Sequence, residues 1–590
     1  MHFPASNSFW LPRFNQTRKL KRFGLQTLLG FVCTISLPLP GQAAETVHFS
    51  YGLFERSVAV ASLEAYAEDG TVHSDLAFFL EFLTPEVREE FRTALRTSHQ
   101  LSPVVVSQSF YEPMGEKALG YVGNLIQTGK RQNGLHALRS AMILAAAQPG
   151  GFTLIDVLRQ FPTQDMRIDL RVALNALRQG EAFFQETNAV ITGIEQLARQ
   201  SESASAIEPT DIPDLRQPGG VQFSKQTLIL EDKRRNRTYP VDLYLPQTSS
   251  SVPASVPVIV LSHGLGSSRA DFADVAEHIA SYGFAVALPE HIGSNHDLQQ
   301  AVLAGRASEV FHVREFIDRP LDISFLLDQL EQRNQSEWQG RLNLEQVAAA
   351  GHSFGGYTVL VLGGATVDFA HLRQDCQQDS FIDFLNPSLL LQCRALELES
   401  SSTAVQQLTQ GLQDERVSFI IAFNPVNASI FGPQGLSRVQ IPVVIGASGY
   451  DPAAPIVPEQ AHSFTWLTAP QKYLLLARGG AHIPQLTAMI NRILSPSLDP
   501  QQLEEEITLF RSNVRALLLA FLQLYLADRT EYERYLEPFN IQTLGDPPFQ
   551  FSLIRSLSAD QLTQMLEKKI EKIEVLVVLH LSTGQKLQGL

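Results

Sequence analysis

From Leu53 to about Ala198, apolar residues recur at the three-and-four spacing of helices, and no stretch alternates in the manner of a strand. Leu53–Tyr66, Leu76–Leu83, Val87–Leu95 and Ala118–Ile126 each gather their apolar positions on one helical face. Leu135–Ala147 continues the series and meets a stop at Pro149-Gly150-Gly151. Further helices are predicted at Leu154–Phe161 and from Leu170 to about Ala198. Residues 45–199 are thus expected to form an all-α domain, and the polar, Ser-, Pro- and Gly-rich residues 200–220 a linker.

The period changes at Val221. Two alternating runs, from Thr227 and from Thr238, flank the charged turn Asp232–Arg237 and predict a β-hairpin. Pro257–Ser262 is apolar throughout, as a strand buried on both faces must be. A helix (Asp271–Tyr282), a strand (Phe284–Leu288) and helices around Asp297–Leu303 and Leu321–Leu330 follow. Later strands are predicted at Val417–Phe423, Ile441–Ile445 and Tyr473–Leu476, with a closing helix from Leu503 to Leu526. Strands alternating with helices predict an α/β class with a doubly wound, mostly parallel sheet over residues 221–530. Residues 366–414, far longer than the usual connection of about 4–6 residues, form a lid-like insert. Residues 531–590 are a carboxy-terminal extension with a helix near Asp560–Ile573 and a β-like run at Val575–Leu581.

The stretch Val347–Tyr357 reads strand, cramped turn, helix, with Gly351-His352-Ser353-Phe354-Gly355-Gly356 at its centre. Glycines two residues either side of a serine suit a strained turn that lifts the hydroxyl off the top of a sheet and points a helix N-terminus at it. Ser353 is the candidate nucleophile of an α/β-hydrolase. Acyl transfer by serine also needs a base, an acid that orients the base, and donors for the oxyanion. His482 is the candidate base, because Arg478-Gly-Gly-Ala-His482 follows the last core strand; His462 precedes that strand and is set aside. Asp451 is the candidate acid, on the loop after Ile441–Ile445, although an aspartate before proline also serves as a turn residue. Backbone N–H groups of Leu265 and Phe354 are the candidate oxyanion donors. His263 and His352 flank them and read as structural.

Composition narrows the function classes. The formal net charge of −15 excludes a basic face for nucleic acid. Residues 1–44 contain no acid, and carry Arg13, Arg18, Lys19, Lys21 and Arg22 ahead of the apolar run Phe23–Leu37, then end in Gln42-Ala43-Ala44. This reads as a secretory signal cleaved near Ala43 or Ala44, and hence a periplasmic or secreted protein. Its apolar core is shorter than the ~20 residues of a membrane span, and no later run is read as a span. Of three cysteines, Cys33 lies in the signal, leaving Cys376 and Cys393 as an expected disulfide. No His cluster lies beside them, so neither metal nor cofactor is expected.

Gly351-His352-Ser353-Phe354-Gly355-Gly356 and Ser262-His263-Gly264-Leu265-Gly266 resemble the plasma-type platelet-activating factor acetylhydrolases and their dienelactone-hydrolase-like relatives, over roughly residues 220–530. The resemblance implies metal-free attack by serine on short or oxidised acyl esters of phospholipids. A lipid ester would bring the protein into peripheral contact with membranes. One position departs: the acid of the mammalian enzymes follows the strand after the elbow, where this chain has Asn424, so the acid moves to Asp451. Residues 45 to about 170 resemble a helical domain of unknown function that precedes such hydrolases in exported bacterial proteins. The expected activity is a serine ester hydrolase. The alternatives are a lipase or phospholipase with the insert as lid, and a binding protein on a hydrolase scaffold.

Overall fold

The computed structural model describes residues 43–201, 213–247, 255–377, 385–483, 499–545 and 549–567. The expected signal sequence (but for its last two residues) and the β-like Val575–Leu581 lie outside them. The chain divides into two compact units: one holds residues 43–100, 126–132 and 136–168, the other 101–125, 133–135 and everything from Asp169 on.

The smaller unit is not all helical. It contains a four-stranded sheet of β1 (Thr46–Tyr51), β2 (Phe54–Ala59), β3 (Ile126–Thr128) and β4 (Asp165–Asp169), in the order β2-β1-β4-β3. The expected helix Leu53–Tyr66 is therefore half strand: Gly52, at φ 62°, turns β1 into β2, and the helix begins only at Val60. The strands escape a pattern reading for a physical reason. β2 is an edge strand with one buried residue, Val58, and β3 is too short to display a period of two. Helices Val60–Asp69, Ser74–Leu80 and Pro85–Arg96 pack Leu63, Tyr66, Leu76, Leu80 and Leu95 against Val47 and Val58.

The larger unit is built on nine strands: β5 (Phe223–Asp232), β6 (Arg237–Pro246), β7 (Val256–Ser262), β8 (Ala285–Pro289), β9 (Leu342–His352), β10 (Val417–Phe423), β11 (Val443–Ser448), β12 (Lys472–Ala477) and β13 (Phe551–Ile554). Their order is β13-β12-β11-β10-β9-β7-β8-β6-β5. The six strands from β8 to β12 run parallel, and β5, β6 and β13 are antiparallel additions at the margins. The wholly apolar strands are apolar because both faces are covered. Val258, Val260, Val347, Ala349, Ile420 and Ala422 enter one core, while the alternate residues Ile259, Leu261, Ala348, Ala350, Phe419 and Ile421 enter the other.

After β7 the chain goes to β8 on one side, then to β9 on the other. This reversal opens a crevice between the carboxyl ends of β7 and β9, the place where open α/β sheets receive ligands. Two further elements belong to this unit. The Leu170–Gln200 helix buries Val190, Ile191, Ile194 and Ala198 in the same core as the sheet. The Pro500–Tyr525 helix buries Ala516–Leu522 on the opposite face. Contrary to the expectation of no later span, Gln501–Tyr525 is long and apolar enough to cross a membrane; most of its apolar window is buried here instead.

Candidate active site

β9 ends at His352 and the helix Phe354–Leu362 begins two residues later, so one residue makes the whole turn. That residue is Ser353, at φ 58° and ψ −118°, a conformation costly for a side chain with a Cβ. The glycines around it allow this turn. A Cβ on Gly351 would lie 2.1 Å from the Gly355 carbonyl oxygen, and one on Gly355 would lie 2.0 Å from that of Ser262. The helix thus packs directly on the ends of β9 and β7. Ser353 N–H donates to Phe423 O (2.9 Å), which ties the turn to β10.

Three side chains from three strand ends meet at this turn. Ser353 Oγ lies 2.9 Å from His482 Nε2, and His482 Nδ1 lies 2.7 Å from Asp451 Oδ2. The other oxygen, Asp451 Oδ1, accepts N–H bonds from Ala453 (2.8 Å) and Ala454 (3.0 Å). The turn role and the histidine-facing role weighed for this aspartate are therefore both filled, one by each oxygen. A carboxylate only accepts, so the proton between Asp451 and His482 sits on Nδ1. Nε2 is left with its lone pair toward the serine hydroxyl. Asp451 is 4 % exposed and Ser353 7 %, so the pairing operates away from bulk water.

The expected oxyanion donors lie beside the serine. The turn after β7 passes so close that a Cβ on Gly264 would sit 3.2 Å from Ser353 Cβ. Leu265 is the next residue, and Phe354 opens the helix after the serine. Among the described residues, neither backbone N–H has an acceptor.

Further residues support these three side chains. His352 was read as structural, and it is: its ring lies 4.6 Å from that of His482, and it is hydrogen-bonded to the His482 backbone. Burial, followed by the neighbouring His482, pushes its pKa down to about 3, so it is neutral. His263 is pushed down to about 3 by burial and by Arg319. Its Nε2 accepts from His291 N–H (3.0 Å), which places its proton on Nδ1, facing Gly264 O at 2.8 Å. Asn424 donates from Nδ2 to Ser448 Oγ (3.0 Å), and Ser448 Oγ donates to Ala481 O (3.2 Å), beside His482. Arg478, at the base of the His482 loop, pairs with Glu195 of the Leu170–Gln200 helix at 2.8 Å. Tyr450, beside Asp451, donates its hydroxyl to Asn188 Oδ1 of that helix at 2.8 Å and stacks on Phe184. No sequence signal marks these contacts, which join residues far apart in the chain.

The insert carries the expected disulfide, Cys376–Cys393, which closes a separation of 17 residues. Glu459, fully buried, holds the insert down. Its carboxylate accepts from Asn386 Nδ2 (2.8 Å) and Gln392 Nε2 (2.9 Å), and from the N–H groups of Asn427 (3.0 Å) and Ala428 (3.1 Å). Among the described residues, no group of three His, Cys, Asp or Glu side chains is arranged to hold a metal ion.

Residues 246–297, from the end of β6 through the turn after β7 to the helix beyond β8, match the family model for platelet-activating factor acetylhydrolase, isoform II. This is a narrower span than residues 220–530. Residues 43–169 match the model for an alpha/beta hydrolase of unknown function, DUF1400. No curated protein matches the chain. The doubly wound sheet is that of an α/β-hydrolase, and over residues 246–297 the chain is similar to platelet-activating factor acetylhydrolases.

Proposed function

We propose that this α/β-hydrolase cleaves carboxylic esters through an acyl-enzyme on Ser353, with His482 as general base and acid and Asp451 as its orienting acid. The observation that carries the reading is the continuous hydrogen-bonded run from Asp451 Oδ2 through His482 to Ser353 Oγ. In this reading Ser353 Oγ attacks the ester carbonyl as its proton passes to His482 Nε2. The imidazolium, stabilised by Asp451, then protonates the departing alkoxide. Water, giving a proton to the same Nε2, attacks the acyl carbon, and Ser353 recovers its proton as the acid leaves. Leu265 and Phe354 N–H groups receive the oxyanion in both tetrahedral stages. Being backbone donors, they need little rearrangement.

The match to an acetylhydrolase model over residues 246–297 favours lipid esters with short acyl chains as the substrate class. The ties of the insert to Glu459 and its internal disulfide favour this over a lipase whose insert swings open as a lid. A basic, apolar residues 1–44 and a disulfide favour a place of action outside the cytoplasm, with peripheral contact at a lipid surface.

The test is hydrolysis of p-nitrophenyl esters of graded acyl length by the wild type and by Ser353→Ala. Turnover is expected to be highest for short chains and to fall by about 10⁶-fold in the variant, as for loss of a triad serine elsewhere. A folded wild type that turns over none of the series contradicts the reading.

A further inference from the structure

Beneath the turn after β7 lies an arginine to which the mechanism above gives no part. Arg319, on the helix Glu315–Ser336, is fully buried. Its Nη1 donates to the His263 carbonyl at 2.6 Å and its Nη2 to the Gly264 carbonyl at 3.3 Å. Nε donates to Ser294 Oγ at 2.9 Å, and the guanidinium lies 4.4 Å over the centroid of the Phe354 ring. One cation therefore touches Phe354 itself and, at the Gly264 carbonyl, the peptide whose other end is the Leu265 N–H.

The contact with Gly264 has a chemical consequence. The Gly264 C=O and the Leu265 N–H are two ends of one peptide group. A cationic donor at the oxygen draws electron density toward it, leaving the N–H at the other end more positive and a stronger donor. The same oxygen faces the Nδ1–H of His263 at 2.8 Å and accepts from the Ser267 N–H at 3.4 Å, so three donors converge on it and resist a turn of the peptide plane. On the far side of Leu265, Gly266 N–H is held by Ser294 O at 2.9 Å. Among the described residues the Leu265 N–H has no acceptor, which leaves it for a ligand.

The cation itself is held in place by charge. Glu315 Oε2 lies 3.6 Å from Arg319 Nε and accepts from Ser294 Oγ at 2.7 Å. Glu315 Oε1 lies 2.9 Å from Arg237, which with Arg235 also pairs Asp322 and Asp318. Burying a cation is costly unless its partners are well placed, and an apolar side chain would fill the space at less cost. The arrangement fits a group retained for what it does to the turn.

We propose that Arg319 is a positioning residue for the oxyanion site, orienting and polarising the Leu265 N–H through the Gly264–Leu265 peptide. This rests on the serine-hydrolase reading above. Arg319 touches no reacting atom, and its effect falls on the tetrahedral stages rather than on substrate binding.

The test compares wild type, Arg319→Lys and Arg319→Met in kcat and KM for p-nitrophenyl acetate. It adds the affinity of a trifluoromethyl ketone, whose serine adduct carries an oxyanion, and the melting temperature. Loss of one direct oxyanion donor costs about 10²–10³-fold in kcat, so an indirect role predicts a fall of roughly tenfold for lysine and ~10²-fold for methionine. KM is expected to stay within about twofold, and the ketone's affinity to fall in step with kcat. Should methionine prevent folding, lysine, which keeps the charge but not the fork, still decides the matter. An Arg319→Lys enzyme that folds and keeps wild-type kcat and ketone affinity overturns the proposal while wild-type turnover upholds the parent reading. A fall confined to KM overturns it equally. A wild type inert toward ester and ketone overturns both.

Discussion

Asn424 and Ser448 exchange two hydrogen bonds across the ends of β10 and β11: Asn424 Nδ2 to Ser448 Oγ at 3.0 Å, and Ser448 N–H to Asn424 Oδ1 at 2.7 Å. Asn424 stands where the acid of the mammalian enzymes would be expected from the resemblance, and here it braces the neighbouring strand instead. Its amide uses both a donor and an acceptor, which a carboxylate could not supply. Asp451→Asn is expected to lower kcat by about 10⁴-fold, since the amide favours the wrong histidine tautomer. Asn424→Asp should not restore it. Recovery of the double variant to within about tenfold of wild type would move the acid to position 424.

Acid should destabilise the protein from about pH 6.5 downward, through its buried histidines. His263 and His352 fall from 6.5 to about 3 through burial, and His291 well below its ordinary value for the same reason. Unfolded, they bind protons below about 6.5; folded, they do not until much lower pH, so their stabilisation is present above 6.5 and lost as pH falls toward 3. Burial lowers His278 and His462 as well, whereas Asp322, pushed up from 3.8 to about 6 by burial, and Glu112, also raised by burial, oppose the trend, two groups against five. Melting temperature is expected to drop from pH 7 to pH 4, and less steeply in His352→Asn. A flat profile would contradict the burial of these rings as neutral groups.

Glu459→Gln should weaken the fold with little change in net charge repulsion. The carboxylate takes four donors, two of them backbone N–H groups at the start of the Ala428–Leu436 helix. A glutamine amide must present its own N–H₂ to one pair, leaving buried donors unmet at about 1–3 kcal/mol. Urea unfolding measures this; a change under about 0.5 kcal/mol would mean the buried carboxylate is not what holds this corner.

The Leu170–Gln200 helix is expected to behave as core of the larger unit. Ile194 is fully buried among sheet residues. Ile194→Ala should cost about 2–5 kcal/mol by urea unfolding, against less than about 0.5 for a peripheral position.

How much of this was legible follows from what a local pattern can carry. Pro257–Ser262 and Val347–Gly351 announced buried parallel strands because nothing polar interrupts them. Gly351 and Gly355 announced the turn because their missing side chains are themselves the signal. That the side chains of Ser353, Asp451 and His482 would meet was readable from their order and their place after strands. The pairing of β1 with β4 was not, because it joins Thr46–Tyr51 to Asp165–Asp169 through hydrogen bonds that leave no periodicity in such short or exposed strands. Nothing in the local pattern marks Arg319, which lies just ahead of the predicted helix Leu321–Leu330. Its burial depends on Ser294, Glu315 and two carbonyls that only the fold assembles.

The central claim, a nucleophilic serine activated by His482, is tested most directly by treating the full chain with a fluorophosphonate and locating the adduct by peptide mass spectrometry. The account predicts one modified residue, Ser353, no modification in Ser353→Ala, and labelling slowed by at least about 10³-fold in His482→Ala. A folded wild type that stays unmodified, or an adduct on another serine that forms equally in Ser353→Ala, would contradict it.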